Sequence, residues 1–300
     1  MAAYNKTVYI ICGPTAVGKT AIAISLAQYL NTAIISADSR QCYKEMTIGT
    51  AKPAADELQA VKHYFINSHS VVNNLTAADY ETLALGYLNE IFAAADTAVV
   101  CGGTGLYIKA LCEGLDEMPA VNDAIAAEVQ QQYDAHGITW LQQTVREEDP
   151  AFFAVGEVQN PARLLRALTF KRSTGESITS FRKGAAKQRD FNMVKIGLEL
   201  PREELYNRIN HRVDMMMAAG LLDEVKELYP LRKLKNLQTV GYAELFDFID
   251  GQCTLAEAVE KIKQNTRHYA KRQMTWFKKD KEVRWLDADA ADIITSILTN

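Results

Sequence analysis

Val8-Tyr9-Ile10-Ile11-Cys12-Gly13-Pro14-Thr15-Ala16-Val17-Gly18-Lys19-Thr20 is the stretch from which the rest of the chain is read. Val8 to Cys12 is an apolar run of the β type. Gly13-Pro14-Thr15-Ala16-Val17-Gly18-Lys19-Thr20 fits G-x-x-x-x-G-K-[ST] at every fixed position. Ala21 to Leu30 continues with helix-forming residues, apolar at Ile22, Leu26 and Leu30. A strand, this loop and a helix in that order are the setting a phosphate-binding loop needs. Gly13 and Gly18 let backbone N–H groups converge on an anion, with the positive end of the helix behind them. Lys19 adds a point charge toward the terminal phosphate, and the Thr20 hydroxyl is placed to hold Mg²⁺.

Working outward, Ala33-Ile34-Ile35-Ser36 reads as a second buried strand, ending in Ala37-Asp38-Ser39-Arg40-Gln41. His63 to Asn67 is a third. Thr76 is an N-cap for a helix running to about Ala95. Thr97 to Cys101 is another buried strand, closed by Gly102-Gly103-Thr104-Gly105, with a helix from Leu106. Strands alternating with helices imply a parallel, doubly wound sheet with helices on both faces. Ligands gather outside the carboxyl ends of such strands, so the phosphate loop, Asp38 and Thr104 are expected around one crevice.

The pattern changes near Met118-Pro119. Residues 122–189 show only helical periodicity, broken at Gly137, Pro150, Asn160-Pro161 and Gly175. Met193 to Leu200 returns as a β-run. Pro201 opens a helix to about Ala219. Further helices are expected at 221–229 and 254–279, and a last strand at Val283 to Leu286. The expected organisation is a core over 1–118 and 191–300, interrupted by a helical insertion over 119–190.

With 300 residues, 48% hydrophobic and 23% charged, the chain can bury a substantial core. No apolar run approaches the length of a membrane span, and the N-terminus lacks a basic-then-apolar signal pattern. The five cysteines show no C-x-x-C spacing and read as reduced thiols. A cytoplasmic enzyme is the expectation. The net charge of −4 conceals two basic blocks. Residues 161–189 carry eight Lys/Arg against the single acid Glu176, and residues 261–279 carry seven and no acid. Charge so segregated suits a polyanionic partner.

Asp38, at the end of a buried strand, suits either a Mg²⁺ ligand or a general base. A nucleotide hydrolase of this kind carries an acid after a second apolar strand. Here that strand ends in Cys-Gly-Gly-Thr, so phosphate binding stands while ATP turnover does not. Arg163 and Arg166 share one helix face, Arg212 lies on the helix after the returning strand, and arginine forks suit diphosphate oxygens. In 265–279, His268, Tyr269, Trp276 and Phe277 interleave with basic residues, a pattern that suits a nucleic-acid backbone and a splayed base. His63, His69, His136 and His211 have no ligand-like spacing, so no zinc is expected.

Together these pieces resemble the tRNA dimethylallyltransferase (tRNA isopentenyltransferase) family. The matching stretches are Gly13–Thr20, Ile35–Lys44, Met46–Pro53, Gly102–Tyr107, Asn160–Leu168, Arg212–Met215, Val240–Tyr242 and Lys271–Trp276. The resemblance implies a P-loop NTPase-like sheet with a helical insertion. It also implies transfer of a dimethylallyl group from dimethylallyl diphosphate to N6 of the adenosine beside the anticodon in tRNA. In that family the loop holds the donor's diphosphate. By the same resemblance, Asp38 is the general base, and Lys19, Thr20 with Mg²⁺ and Arg212 neutralise the departing diphosphate. Arg163 matches an active-site residue of the insertion, and Thr104 a contact near the reacting base. Asp38, Ser39, Arg40 and Gln41 match tRNA-contacting positions. So do Gln159, Asn160, Pro161, Ala162, Arg163, Gln238, Gly241, Tyr242, Lys271, Arg272, Gln273, Thr275 and Trp276. Ala126 stands where family members often carry arginine. A monomer is expected. Competing readings are an adenylate isopentenyltransferase acting on free AMP or ATP, a small-molecule P-loop kinase, and a nucleotide-gated RNA-binding module.

Overall fold

The computed structural model describes residues 5–182 and 184–299. Lys183, one of the eight basic residues counted in 161–189, lies outside them. The strands are β1 (Thr7–Cys12), β2 (Ile34–Ser36), β3 (His63–Tyr64), β4 (Thr97–Gly102), β5 (Asn192–Glu199) and β6 (Arg284–Asp287). Among the described residues they form one sheet in the order β3-β2-β4-β1-β5-β6, every pairing parallel. β1 therefore sits between β4 and β5, with Cys12 opposite Gly102 on one side and Gly197 on the other. The loop that follows β1 emerges at the centre of the sheet's carboxyl edge.

Side-chain alternation along each strand divides the core in two. Val8, Ile10 and Cys12 face one layer and Ile11 the other; Ile35 opposes Ile34, and Ala98 and Val100 oppose Val99. Both faces are apolar because both are covered, as a parallel sheet requires. One face packs against Ile22, Leu26, Leu205, Ile209 and Ile297, from α1 (Lys19–Tyr29), α8 (Arg202–Ala218) and α12 (Ile293–Leu298). The other packs against α3 (Ala77–Phe92), α4 (Gly105–Glu113), α9 (Leu221–Leu228), α10 (Tyr242–Ile249) and α11 (Leu255–Phe277). Thr76 caps α3 as expected, accepting from the Asp79 N–H while Asp79 accepts from the Thr76 N–H.

The chain divides into two compact units: one runs to Glu113 and resumes at Gln188, and the other is Gly114–Lys187. The second has its own core, in which Val129, Leu141 and Val145 of α5 (Asp123–Glu148) meet Phe152 of α6 (Pro150–Val155) and Leu164 and Leu168 of α7 (Pro161–Thr174). Gly137 interrupts α5 with φ 72, and Asp149 caps α6 by accepting from the Phe152 N–H. Helical periodicity to residue 189 overreached. α7 stops at Thr174, a 3-10 turn covers Ile178–Phe181, and the described residues up to β5 are irregular.

Three short helices were not anticipated: α2 (Ala55–Ala60), α10 and α12. Helices of this length gain their stability from tertiary packing rather than from their own sequence. The third strand is only His63–Tyr64, shorter than the expected run to Asn67, because Phe65 and Asn67 take left-handed backbone conformations that end it.

Candidate active site

The loop between β1 and α1 closes as its sequence requires. Gly18, at the N-cap of α1, has φ 101, a conformation that favours glycine. Lys19 turns back so that Nζ donates to the Pro14 carbonyl at 2.6 Å. Loss of hydration lowers the Lys19 pKa, the nearby Arg212 charge lowers it further, and Asp38 partly offsets both. The loop thus presents concentrated positive charge with little solvent to screen it, a setting in which an anion binds more strongly than at an open surface.

Thr15 is held from two directions. Its N–H donates to Oε1 of Gln273 at 2.8 Å, and its hydroxyl accepts from Nη2 of Arg212. Nε of Arg212 is buried without a hydrogen-bond partner among the described residues. Burial lowers the Arg212 pKa and the Asp38 charge pulls it back up. A buried guanidinium N–H without an acceptor is costly, and a bound anionic oxygen would satisfy it.

Asp38 follows β2 in a tight turn. Its Oδ1 accepts from the N–H groups of Arg40 at 2.8 Å and Gln41 at 3.3 Å. Oδ2 accepts no hydrogen bond among the described residues. Thr104 fixes the same turn from the end of β4: its hydroxyl accepts from the Ser39 N–H at 3.0 Å, and its N–H donates to the Ala37 carbonyl. Ser39 and Thr104, far apart in sequence, therefore lock together beside the carboxylate.

Two cavities meet here. A polar one of about 350 Å³ is lined by Lys19, Thr20, Glu57, Arg208 and Gly103. A smaller one of about 120 Å³ is lined by Val213, Met216, Leu221, Val240, Ile262 and Tyr269. Both include Thr15, Asp38, Thr50 and Arg212, so the carboxylate stands where cationic and apolar surfaces join. Burial pushes the Tyr269 hydroxyl up to about 12, keeping it neutral and able to donate. Thr20, Asp38 and Glu57 put hard oxygen atoms into the polar cavity, which is the donor chemistry Mg²⁺ prefers.

The expected nucleic-acid positions separate into three groups. Lys271, Arg272, Thr275 and Trp276 are exposed on one side of α11, and Arg272 lies 5.8 Å from the Tyr269 ring. Trp276 is 42% exposed, so it is not the core residue an amphipathic helix alone would suggest; Phe277 fills that role. Gln273 and Tyr242 point inward. Gln273 donates from Nε2 to the Gly103 carbonyl at 2.9 Å as well as accepting from Thr15, and the Tyr242 hydroxyl donates to Glu224 at 2.6 Å. Gly241 donates to Glu244, and Gln238 donates to the Arg232 carbonyl.

In the second unit, Asn160 caps α7, Pro161 and Ala162 form its first turn, and Gln159 accepts from Gln142. Arg163 pairs with Glu157 at 2.9 Å, and Arg166 lies on the same helix. The basic blocks are less naked than the sequence implies. Arg189 meets Glu81, Arg172 meets Glu148, Lys263 meets Asp214 and Lys278 meets Glu199.

Sequence reading placed Gln273 as a tRNA contact and missed it as an internal strut, and it missed Arg208 and Glu224; Tyr269, read as part of an RNA-facing pattern, lines the apolar cavity. For Gln273 a signal existed. It falls in phase with the buried Ile262, Thr266, Ala270 and Phe277 of α11, where a polar side chain requires internal partners.

The IPP transferase family model matches residues 41–280. The tRNA dimethylallyltransferase of Cytophaga hutchinsonii is 44% identical over 298 residues, spanning 99% of this chain and 98% of its own length. That of Christiangramia forsetii is 47% identical over 279 residues, spanning 93% of this chain and 92% of the relative. Among solved structures, the tRNA isopentenylpyrophosphate transferase of Bacillus halodurans superposes with a TM-score of 0.71 at 37% identity, covering 98% of this chain and 94% of that one. A eukaryotic dimethylallyltransferase acting on tRNA superposes with a TM-score of 0.75 at 25% identity, covering 97% and 77% respectively. By sequence and by fold, the chain belongs to the tRNA dimethylallyltransferase family, the IPP transferases.

Proposed function

We infer that this chain transfers a dimethylallyl group from dimethylallyl diphosphate to N6 of the adenosine beside the anticodon in tRNA, releasing diphosphate. The observation that carries this reading is the place of Asp38, at the junction of a cationic, loop-lined cavity and an apolar one. The donor has those two parts, a diphosphate and a small hydrocarbon, joined at the carbon that reacts. The exocyclic amine of adenine is a weak nucleophile because its lone pair is delocalised into the ring. As the N6–C1 bond forms and the C1–O bond breaks, Oδ2 of Asp38 takes the N6 proton and the electron pair leaves with the diphosphate. Lys19, Arg212 and the loop N–H groups hold the charge that develops on the departing oxygens. Thr20 would hold Mg²⁺, whose chemistry there would be to supply positive charge against the departing diphosphate. The same reading makes Lys271, Arg272, Thr275 and Trp276 part of the RNA-facing surface, with the splayed base stacking on an aromatic ring. It makes the second unit, with Gln159–Arg163, the tRNA-binding insertion.

Phosphoryl transfer from ATP is the weaker alternative, since β4 ends in Cys101-Gly102 without an acid to orient the metal. The test is incubation with Mg²⁺, radiolabelled dimethylallyl diphosphate and unmodified tRNA whose anticodon is followed by adenosine, with AMP and with ATP in separate parallel incubations. Label in tRNA alone, reduced about 10²- to 10⁴-fold in Asp38→Ala, is the expected outcome. Label in AMP alone makes the chain an adenylate prenyltransferase, and ATP consumption without label makes it a kinase.

A further inference from the structure

Glu224 holds, from outside the site, the loop that walls both cavities. It lies in the first turn of α9, between the buried Leu221 and Val225 that anchor the helix. Oε2 accepts from the N–H groups of Thr47 at 2.9 Å and Ile48 at 2.7 Å, and Oε1 accepts from the N–H of Gly49 at 3.1 Å. Oε1 also accepts from the hydroxyl of Tyr242 at 2.6 Å. Three consecutive backbone donors converging on one carboxylate form an anion nest, here filled by a side chain of the same protein. The Tyr242 ring closes the arrangement. A Cβ on Gly49 would meet it at 2.5 Å, so the loop can lie flat on the ring only with glycine there.

Beyond the nest the loop enters the site. Gly49 and Thr50 line the apolar cavity, and Thr50 and Ala51 line the polar one. Nε2 of Gln41 donates to the carbonyls of Thr50 at 3.3 Å and Ala51 at 3.1 Å. Gln41 in turn donates its N–H to Oδ1 of Asp38. A continuous path of hydrogen bonds thus runs from α9, through residues 47–51, to the turn that carries the carboxylate.

We propose that Glu224, with Tyr242, is a positioning residue that fixes the Thr47–Ala51 wall and through Gln41 the Asp38 turn, setting the width of the diphosphate cavity and the approach of Asp38 to the acceptor. In its catalytic part this rests on the prenyl-transfer reading above. The chemistry demands a carboxylate. All four partners are donors, and glutamine offers one acceptor oxygen while turning two N–H groups toward donors, whichever way its amide is flipped.

The experiment compares wild type, Glu224→Gln and Tyr242→Phe, the last removing one donor and leaving the nest charge in place. Amide hydrogen exchange at Thr47–Gly49, affinity for inorganic pyrophosphate with Mg²⁺, and steady-state tRNA prenylation are measured, with circular dichroism confirming the fold. For Glu224→Gln, exchange at the three amides rises about 10-fold or more. Pyrophosphate binding weakens roughly 3- to 10-fold. kcat falls about 10- to 100-fold with KM for tRNA within about twofold, because small misplacements at a reacting centre act on rate. Tyr242→Phe moves the same quantities in the same direction by less. Unchanged exchange in a folded Glu224→Gln protein, or raised exchange with wild-type pyrophosphate affinity and kcat, overturns the proposal. If wild type prenylates no tRNA, the functional reading fails, while exchange and pyrophosphate affinity still decide whether Glu224 builds the cavity wall.

Discussion

Gln273→Leu removes a side chain that ties the phosphate loop to the turn after β4. The glutamine is 6% exposed and makes two bonds, from the Thr15 N–H at 2.8 Å and to the Gly103 carbonyl at 2.9 Å. Leucine keeps most of the volume and satisfies neither backbone group. Leaving a buried donor or acceptor unpaired costs about 1–3 kcal/mol, so the pair sets a ceiling of about 2–6 kcal/mol. Thr15 lines both cavities, where water can reach its N–H, which places the expected loss in the lower half of that range. At about 2–4 °C per kcal/mol, thermal unfolding followed by calorimetry should shift down by roughly 4–16 °C. The loop should lose its set as well, so KM for the prenyl donor rises several-fold while KM for tRNA holds. Gln273→Glu discriminates further: it keeps an acceptor for Thr15 but turns an oxygen toward the Gly103 carbonyl, so lowering the pH should partly restore it by protonating the new carboxyl. An unchanged midpoint with only KM for tRNA raised would refute this reasoning and return Gln273 to the RNA surface.

On the prenyl-transfer reading, Arg212→Ala deletes a buried cation facing the leaving group and should lower kcat about 10²- to 10³-fold in single-turnover prenylation; tRNA binding by filter retention should be within about twofold of wild type. Burial pushes the Cys101 thiol up to about 11, so it is protonated at neutral pH. Native protein should therefore alkylate slowly with iodoacetamide at that position by mass spectrometry, and faster only as the pH approaches that value or the chain unfolds. The forked Arg172 contact holds the Glu148 carboxyl below its ordinary 4.5. The stability it contributes is complete above that value and is lost as pH falls through the lower folded-state pKa. Glu148→Gln should therefore flatten the acid limb of the stability curve while making little difference to its shape at neutral pH, read by urea titration across pH.

Much of this protein is local and therefore legible in the chain. Val8–Thr20 specifies strand, loop and helix because apolar alternation, glycines at fixed places and a helix start act over neighbouring residues. Asp38 could be singled out because it ends an apolar run, and parallel sheets send such ends to one edge. The alternation of strands and helices fixed the class of fold for the same reason. The missing acid after β4 was also visible, because Cys101-Gly102-Gly103-Thr104 is read directly from the chain.

What the tertiary structure alone decided are contacts between residues brought together across the sequence. Gln273 reads as one more polar residue on a basic helix until α11 turns it toward Thr15 and Gly103, and then it is a strut. Glu224 is an ordinary acid in a helix's first turn until residues 47–49 aim three N–H groups at it. Lys263 and Lys278 look like free charge for RNA until Asp214 and Glu199 arrive beside them. Periodicity reports which face of an element is buried, because burial is set by the nearest turns of chain. It carries no information about which distant donor or acceptor will lie opposite, because that is fixed only when the sheet order and helix packing bring the two together.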